Sequence, residues 1–254
     1  MRAGDWLRAA ERDLPLLDDP SLVVGDGPVL VLAPHPDDES LGCGALLAAL
    51  AAAGRTVRVA VVSDGGMSHP HSRAYPRARL AALRQEETRA AVAALGLDPA
   101  RDLLFLGLPD AAVPEGGPAF EAALARLRED PAPATILATW RHDPHRDHVA
   151  TWRLAEALRR GVPGARLLAY PVWGLAHAHP VPGFPLPPEP ELEGPPRGVR
   201  FQAGPWLAAK RAAVAGHASQ LGRVITDDPG GFALPEAALS LAFRPFELFL
   251  EEPP

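Results

Sequence analysis

Five consecutive residues, His35-Pro36-Asp37-Asp38-Glu39, place an imidazole and three carboxylates directly behind a short apolar run. A second segment, His142-Asp143-Pro144-His145-Arg146-Asp147-His148, is equally dense in titratable groups. One Asp before a helix is accounted for by capping. A His with three acids is not, and such density calls for a cation or a reaction. A helix starting near Pro144 puts His145 and His148 at i and i+3 on one face. Alone, that pair is better read as surface, because such short spacings arise by chance. Taken with the first segment, it is better explained by a mononuclear metal site. Two His and one carboxylate with an open position form the catalytic zinc pattern, and non-haem Fe(II) uses the same triad. Such an ion lowers the pKa of bound water toward about 7. An unligated carboxylate nearby takes the proton. An imidazole stabilises the oxyanion or protonates a leaving amine. Together these are the outline of a metal-dependent hydrolase acting on an amide or ester.

The elements that must position these groups alternate regularly. Pro28 to Ala33 is the first clear strand, short and nearly all apolar, as suits a strand covered on both faces. A helix over the Ala/Leu-rich run ending at Gly54, a strand Thr56 to Val62, a helix Arg79 to Leu95 and a strand Asp102 to Leu108 follow. Then come a helix Pro118 to Asp130, a strand Thr135 to Trp140, a helix Val149 to Arg160 and a strand Ala165 to Trp173. This rhythm predicts an α/β fold, a mostly parallel sheet with helices on both faces. Both His/Asp segments follow strands, and such sheets bind ligands outside the carboxyl ends of their strands. After Trp173 the rhythm stops, with ten of the thirty prolines between Pro171 and Pro205 and no helical pattern. A helix over Trp206 to Leu221 and a last strand or hairpin arm within Leu241 to Leu250 complete the reading.

Composition narrows the classes. The chain has 254 residues, enough for one large α/β domain, and a net charge of -6, a poor match to nucleic-acid binding. The lone Cys43 excludes an internal disulfide and a Cys-built structural zinc site, and fits a cytoplasmic protein. The longest uncharged apolar run, Leu41 to Ala53, suits a buried helix rather than a membrane span. The charged N-terminus reads as a lead-in without a signal peptide.

Pro34-His35-Pro36-Asp37-Asp38-Glu39, paired with His145-Arg146-Asp147-His148, resembles the PIG-L/LmbE-like N-deacetylase family. Similar pieces are Ser63-Asp64-Gly65, Arg84-Gln85-Glu86-Glu87 leading to Leu95-Gly96, and Lys210 to Gln220 with its His217-Ala218-Ser219-Gln220 ending. The likeness runs from Pro28 to about Leu250. It implies a Rossmann-like fold; the chain is read as a single domain over 1–254, with a lead-in over 1–27 and, from the clustering of its prolines, an ordered loop or lid beside the pocket over 174–205. The implied activity is removal of the acetyl group from an N-acetylglucosamine-type sugar or conjugate, with Zn2+, or Fe2+ or another divalent ion, as cofactor. The resemblance assigns His35, Asp38 and His148 to the metal and Asp37 to the general base for the metal-bound water. It assigns His145 to the oxyanion or the leaving amine, and Asp147 to a neighbouring imidazole. Arg146 stands where the family usually has proline, and Gly65-Gly66-Met67 where many relatives carry an acid.

Four further residues are expected at the substrate: His69, Arg73, Trp173 and His217. For each the alternative is ordinary: a solvated loop for His69 and Arg73, the core for Trp173 and Trp140, and a plain helix histidine for His217. Glu87 is read as bracing the site through Arg84 or as half of a surface pair. His177 and His179 are read as surface and Cys43 as a buried small residue. The expected partner is a small amino sugar, with neither nucleic acid nor a membrane span, and a homo-oligomer is left open. An amidase or esterase using the same site on another small acylated substrate is the alternative enzyme. A non-catalytic sugar- or metal-binding relative is the alternative outside enzymes.

Overall fold

The computed structural model describes residues 1–129, 131–184 and 186–251. In chain order the elements are α1 (Ala3–Asp13), β1 (Leu16–Leu17), α2 (Pro20–Val24), β2 (Val29–Ala33), α3 (Asp38–Ala52), β3 (Val57–Ser63), α4 (Arg77–Ala94) and α5 (Pro99–Asp102). They continue with β4 (Leu103–Leu108), α6 (Pro118–Leu127), β5 (Thr135–Thr139), α7 (Arg146–Arg160), β6 (Arg166–Tyr170) and α8 (Leu175–Ala178). The last are β7 (Gly198–Gln202), α9 (Leu207–Gly216), α10 (Glu236–Ala242) and β8 (Phe246–Glu251). All eight strands form one sheet in the order β1-β7-β8-β6-β5-β2-β3-β4. The sheet is parallel except at β8, which runs antiparallel to both β6 and β7.

Strand alternation divides the core between the two faces. From β2, Leu30 and Leu32 pack under α1, α6 and α7, while Val29, Val31 and Ala33 pack under α3, α4 and α9. The expected doubly covered sheet is therefore what forms. β2 pairs with β3 on one side and β5 on the other, so the chain reverses its direction of travel across the sheet between β2 and β5. That crevice is the topological switch point, where open parallel sheets leave room for a ligand.

α3 is apolar nearly all round and buried along most of its length, as its Ala/Leu run requires. It is broken at Cys43, whose φ of -138 is not helical. Gly42 lies against the Tyr170 ring, which a Cβ would overlap. Tyr170 cannot yield, because it is fully buried and its hydroxyl donates to the Leu32 carbonyl at 2.8 Å. Gly42→Ala is expected to cost about 1–3 kcal/mol of stability by overpacking. Denaturant unfolding checks this.

Several boundaries differ from the sequence reading. The lead-in is structured: α1 packs on α8, and β1 adds a parallel edge to β7. The proline-rich stretch holds the single turn α8 and the strand β7, both too short to leave a periodic signal. The helix expected to reach Asp130 ends at Leu127, and Asp130 itself lies outside the described residues. The helix expected over Trp206 to Leu221 stops at Gly216, and a 3-10 turn, Ala218–Leu221, follows His217. Leu241 belongs to α10, and only Phe246 onward is strand.

Candidate active site

β2 ends at Ala33, and its next residues turn sharply into α3. The turn forces Asp37 to φ 142, outside the usual range of a side-chain-bearing residue. Strain of this kind persists only where the surroundings over-determine it. Here Arg84, 3% exposed, donates to the carbonyls of Pro36 (2.7 Å) and Gly65 (3.0 Å) and reaches Asp37 Oδ2 at 3.3 Å. From the other side Glu39 Oε2 accepts the Asp37 N–H at 3.1 Å. Burial pushes the Asp37 carboxyl up to about 7, against the pull of Arg84.

Beyond β5 the chain turns into α7, with His145 as its N-cap. The two turns face each other across the switch point. Asp38 Oδ2 lies 3.1 Å from His35 Nδ1 and 3.3 Å from His148 Nε2. The far nitrogen of each imidazole meets its own carboxylate. His35 Nε2 is 3.2 Å from Asp147 Oδ2, and His148 Nδ1 is 2.8 Å from Asp143 Oδ2. Burial works against charge on His148, but Asp38 and Asp143 outweigh it and raise it to about 9. Burial would likewise raise Asp38, yet His148 and His35 hold it far below the ordinary carboxylate range.

His148 Nε2 is buried and has no hydrogen-bond partner. An orphaned imidazole nitrogen facing a carboxylate oxygen and a second imidazole is the arrangement a divalent cation satisfies. Carboxylates behind each imidazole are the outer partners that orient metal-binding histidines. Two nitrogens and one oxygen with the remaining positions open suit a catalytic rather than a structural ion. Two groupings around His35 bring all their donor atoms within 4.8 Å of one another: His35 with His145 and His148, and His35 with Asp110 and Asp147. In the second grouping both carboxylates also accept backbone N–H groups. Asp147 accepts from the N–H groups of Ala111 (2.7 Å) and Val113 (3.1 Å), and Asp110 from that of Met67 (2.8 Å).

His145 Nδ1 accepts the Asp147 N–H at 3.2 Å, which leaves Nε2 as the protonated nitrogen of the neutral ring. Burial, with His35 and His148 nearby, lowers this imidazole to about 4. It is thus a neutral donor at physiological pH, suited to an oxyanion.

A cavity of about 290 Å³ opens over this cluster. His35, Asp37, Asp38 and His145 line it, as does Trp173. His148 lies beneath its floor, fully buried. The other three expected substrate residues do not line it. His69 is buried against Gly231, with Nδ1 turned to Ser68 Oγ at 3.1 Å. Arg73 is exposed, and its backbone is tied to Asp227. His217 sits behind Asp37, bonded to Glu39 Oε1 at 3.2 Å. Trp140 is core, stacked on Trp6, and His177 is buried rather than on the surface. Glu87 bonds Ser219 through its N–H (2.8 Å) and hydroxyl (2.6 Å), so the bracing of Asp37 falls to Arg84 directly. Asp110, Phe184 and Phe232 line the cavity without having been singled out, as does Gln220, named only as the end of a family-like segment. Asp110 had a signal: it follows the parallel strand β4, the same position relative to the sheet as the His35 segment.

An open parallel α/β sheet with a His/carboxylate cluster at its switch point defines a class of small-molecule enzymes. Residues 30–158 match the PIG-L family model, described as GlcNAc-PI de-N-acetylase, and the chain belongs to that family. Membership supports hydrolytic N-deacetylation of GlcNAc-type substrates. Three solved structures share the fold. The conserved protein TT1542 from Thermus thermophilus is 25% identical with a TM-score of 0.59, over 90% of this chain and 95% of that one. The N,N'-diacetylchitobiose deacetylase from Pyrococcus horikoshii is 22% identical with a TM-score of 0.58, over 85% and 76%. The A40926 pseudoaglycone deacetylase Dbv21 is 22% identical with a TM-score of 0.59, over 89% and 97%. No curated protein matches the sequence. Among the described residues, no helix is long and apolar enough to cross a membrane.

Proposed function

We propose that the chain is a zinc-dependent N-deacetylase that removes the acetyl group from an N-acetylglucosamine-type sugar or sugar conjugate. The observation that carries this reading is the meeting of His35 Nδ1, Asp38 Oδ2 and the orphaned His148 Nε2, with the Asp37 carboxylate lining the same cavity. His35, Asp38 and His148 would hold the ion. A divalent ion bound there supplies Lewis acidity, polarising the amide carbonyl and making water more acidic. Asp37 takes the proton of the attacking water on its carboxylate and passes it to the leaving amine. Arg84 holds that carboxylate in place. His145 donates from Nε2 to the carbonyl oxygen as negative charge builds on it. Asp147 and Asp143 orient the two metal-facing imidazoles from behind.

Acetate release from a panel of N-acetylated sugars, with metal content measured on the same samples, tests the reading. About one ion per chain is expected, falling to near zero in His35→Ala and His148→Ala. Chelation abolishes acetate release, and zinc restores it. Undiminished release from thoroughly metal-free protein would sink the proposal.

A further inference from the structure

Away from the His/Asp cluster, the same cavity is walled by Trp173, Phe184 and Phe232, with Met67 beside them. The rings come from three separate segments: the turn after β6, the proline-rich stretch, and the loop that follows the Ala218–Leu221 turn. Trp173 stacks on Phe184 at 4.9 Å between centroids and 23° between planes. It meets Phe232 edge-on at 5.7 Å and 89°. Trp173 and Phe232 rest on a small core of Leu41, Val214 and Leu234, which anchors the wall. The Phe232 N–H is further tied to the Ser68 carbonyl at 2.7 Å. Yet all three rings keep partly exposed surface, and Met67 is 38% exposed.

This wall is preorganised, apolar and partly wet. The C–H face of a single sugar ring covers about one aromatic ring, and an acetyl methyl less, so neither fills a wall of three rings. An alkyl or aryl group of several carbons would gain from displacing that water. We infer that Trp173, Phe184 and Phe232 form a subsite for an apolar group carried by the substrate beside its N-acyl amino sugar. The inference rests on the deacetylase reading for what occupies the polar half. The apolar group sits either on the anomeric carbon or at the end of the acyl chain, and the test separates the two.

Three probes are titrated calorimetrically into the zinc-loaded protein below micelle-forming concentrations. They are the methyl and octyl glycosides of N-acetylglucosamine and the methyl glycoside of N-octanoylglucosamine. Amine release from each is followed in parallel. One octyl-bearing probe is expected to bind at least about tenfold more tightly than the methyl reference. That advantage shrinks to about twofold or less in Phe184→Ala and in Phe232→Ala, whose folding is confirmed by thermal unfolding. Phe184→Leu, which keeps apolar bulk, retains most of it. Equal affinity for all three probes, no binding of any, or an advantage untouched in both folded Ala variants overturns the subsite. Binding needs no turnover. Tight octyl binding without amine release therefore keeps the subsite and removes the deacetylase reading, whereas equal binding and turnover of all three does the reverse.

Discussion

Asp37→Asn is expected to leave metal content unchanged and to lower kcat for acetate release by about 10²- to 10⁴-fold. Asn is the substitution of choice because the backbone at this position is strained. Asn matches Asp in shape, so of all substitutions it disturbs the strained turn at φ 142 least. The amide also keeps an oxygen for Arg84, which lies 3.3 Å from Asp37 Oδ2 in the native chain. Asp37 is not one of the groups meeting at Asp38 Oδ2, so the ion keeps its ligands. What disappears is the carboxylate oxygen proposed to take the proton of the attacking water. Steady-state acetate release and metal analysis on one preparation check this. Full turnover by the variant would remove Asp37 from the mechanism.

The largest expected loss of stability lies behind the site. Lys210, 1% exposed, sits on α9 with its ammonium 2.7 Å from Glu247 Oε1 on β8. The same carboxylate accepts the N–H groups of Ala45 (2.7 Å) and Leu46 (2.9 Å). Those groups are unpaired within α3 because the break at Cys43 makes the second half of that helix start afresh. Glu247 therefore caps a helix in the interior, and Lys210 balances its charge. Lys210→Met should lower the unfolding free energy by about 3–5 kcal/mol, since it leaves a buried carboxylate without its counter-ion. Lys210→Met combined with Glu247→Gln should cost less than Lys210→Met alone, because no unpaired charge remains. Urea unfolding of the single and double variants measures the difference. A loss below about 1 kcal/mol for Lys210→Met would show that α3 does not depend on the pair.

Residues 28–173 were legible because the parallel strands there are mostly apolar, and β2, β3 and β5 each lead into a helix of at least 15 residues. The two His/Asp segments were legible as one site for a related reason: a parallel sheet puts the ends of neighbouring strands side by side. Sequence spacing left β2 and β5 merely at one edge, and their direct pairing comes from the reversal in strand order. What stayed hidden depends on partners distant in the chain. Arg84 reads only as the link by which Glu87 braces the site, or as half of a surface pair, until the loop bearing Gly65 closes over it. His217 reads as a substrate contact until Glu39 claims its ring. Phe184 lies among prolines, where no periodicity marks a buried face, and its place in the wall follows from Trp173 alone. The strand β7 is legible only once β8 is seen to return antiparallel beside it.

Asp143 joins two parts of the molecule that have so far stood apart. One oxygen faces His148 Nδ1 at 2.8 Å and accepts the N–H groups of Val172 (3.1 Å) and Trp173 (3.3 Å), while the other accepts that of Gly174 at 2.5 Å. The imidazole under the cavity floor and the backbone of its aromatic rim are therefore moored to a single side chain. Any remodelling that swings the rim outward pulls on the atom that aims His148. On the proposed reading, breadth of substrate and grip on the ion would be mechanically opposed, and a wider mouth would have to be sought from Phe184 and Phe232, leaving the Trp173 backbone where it is.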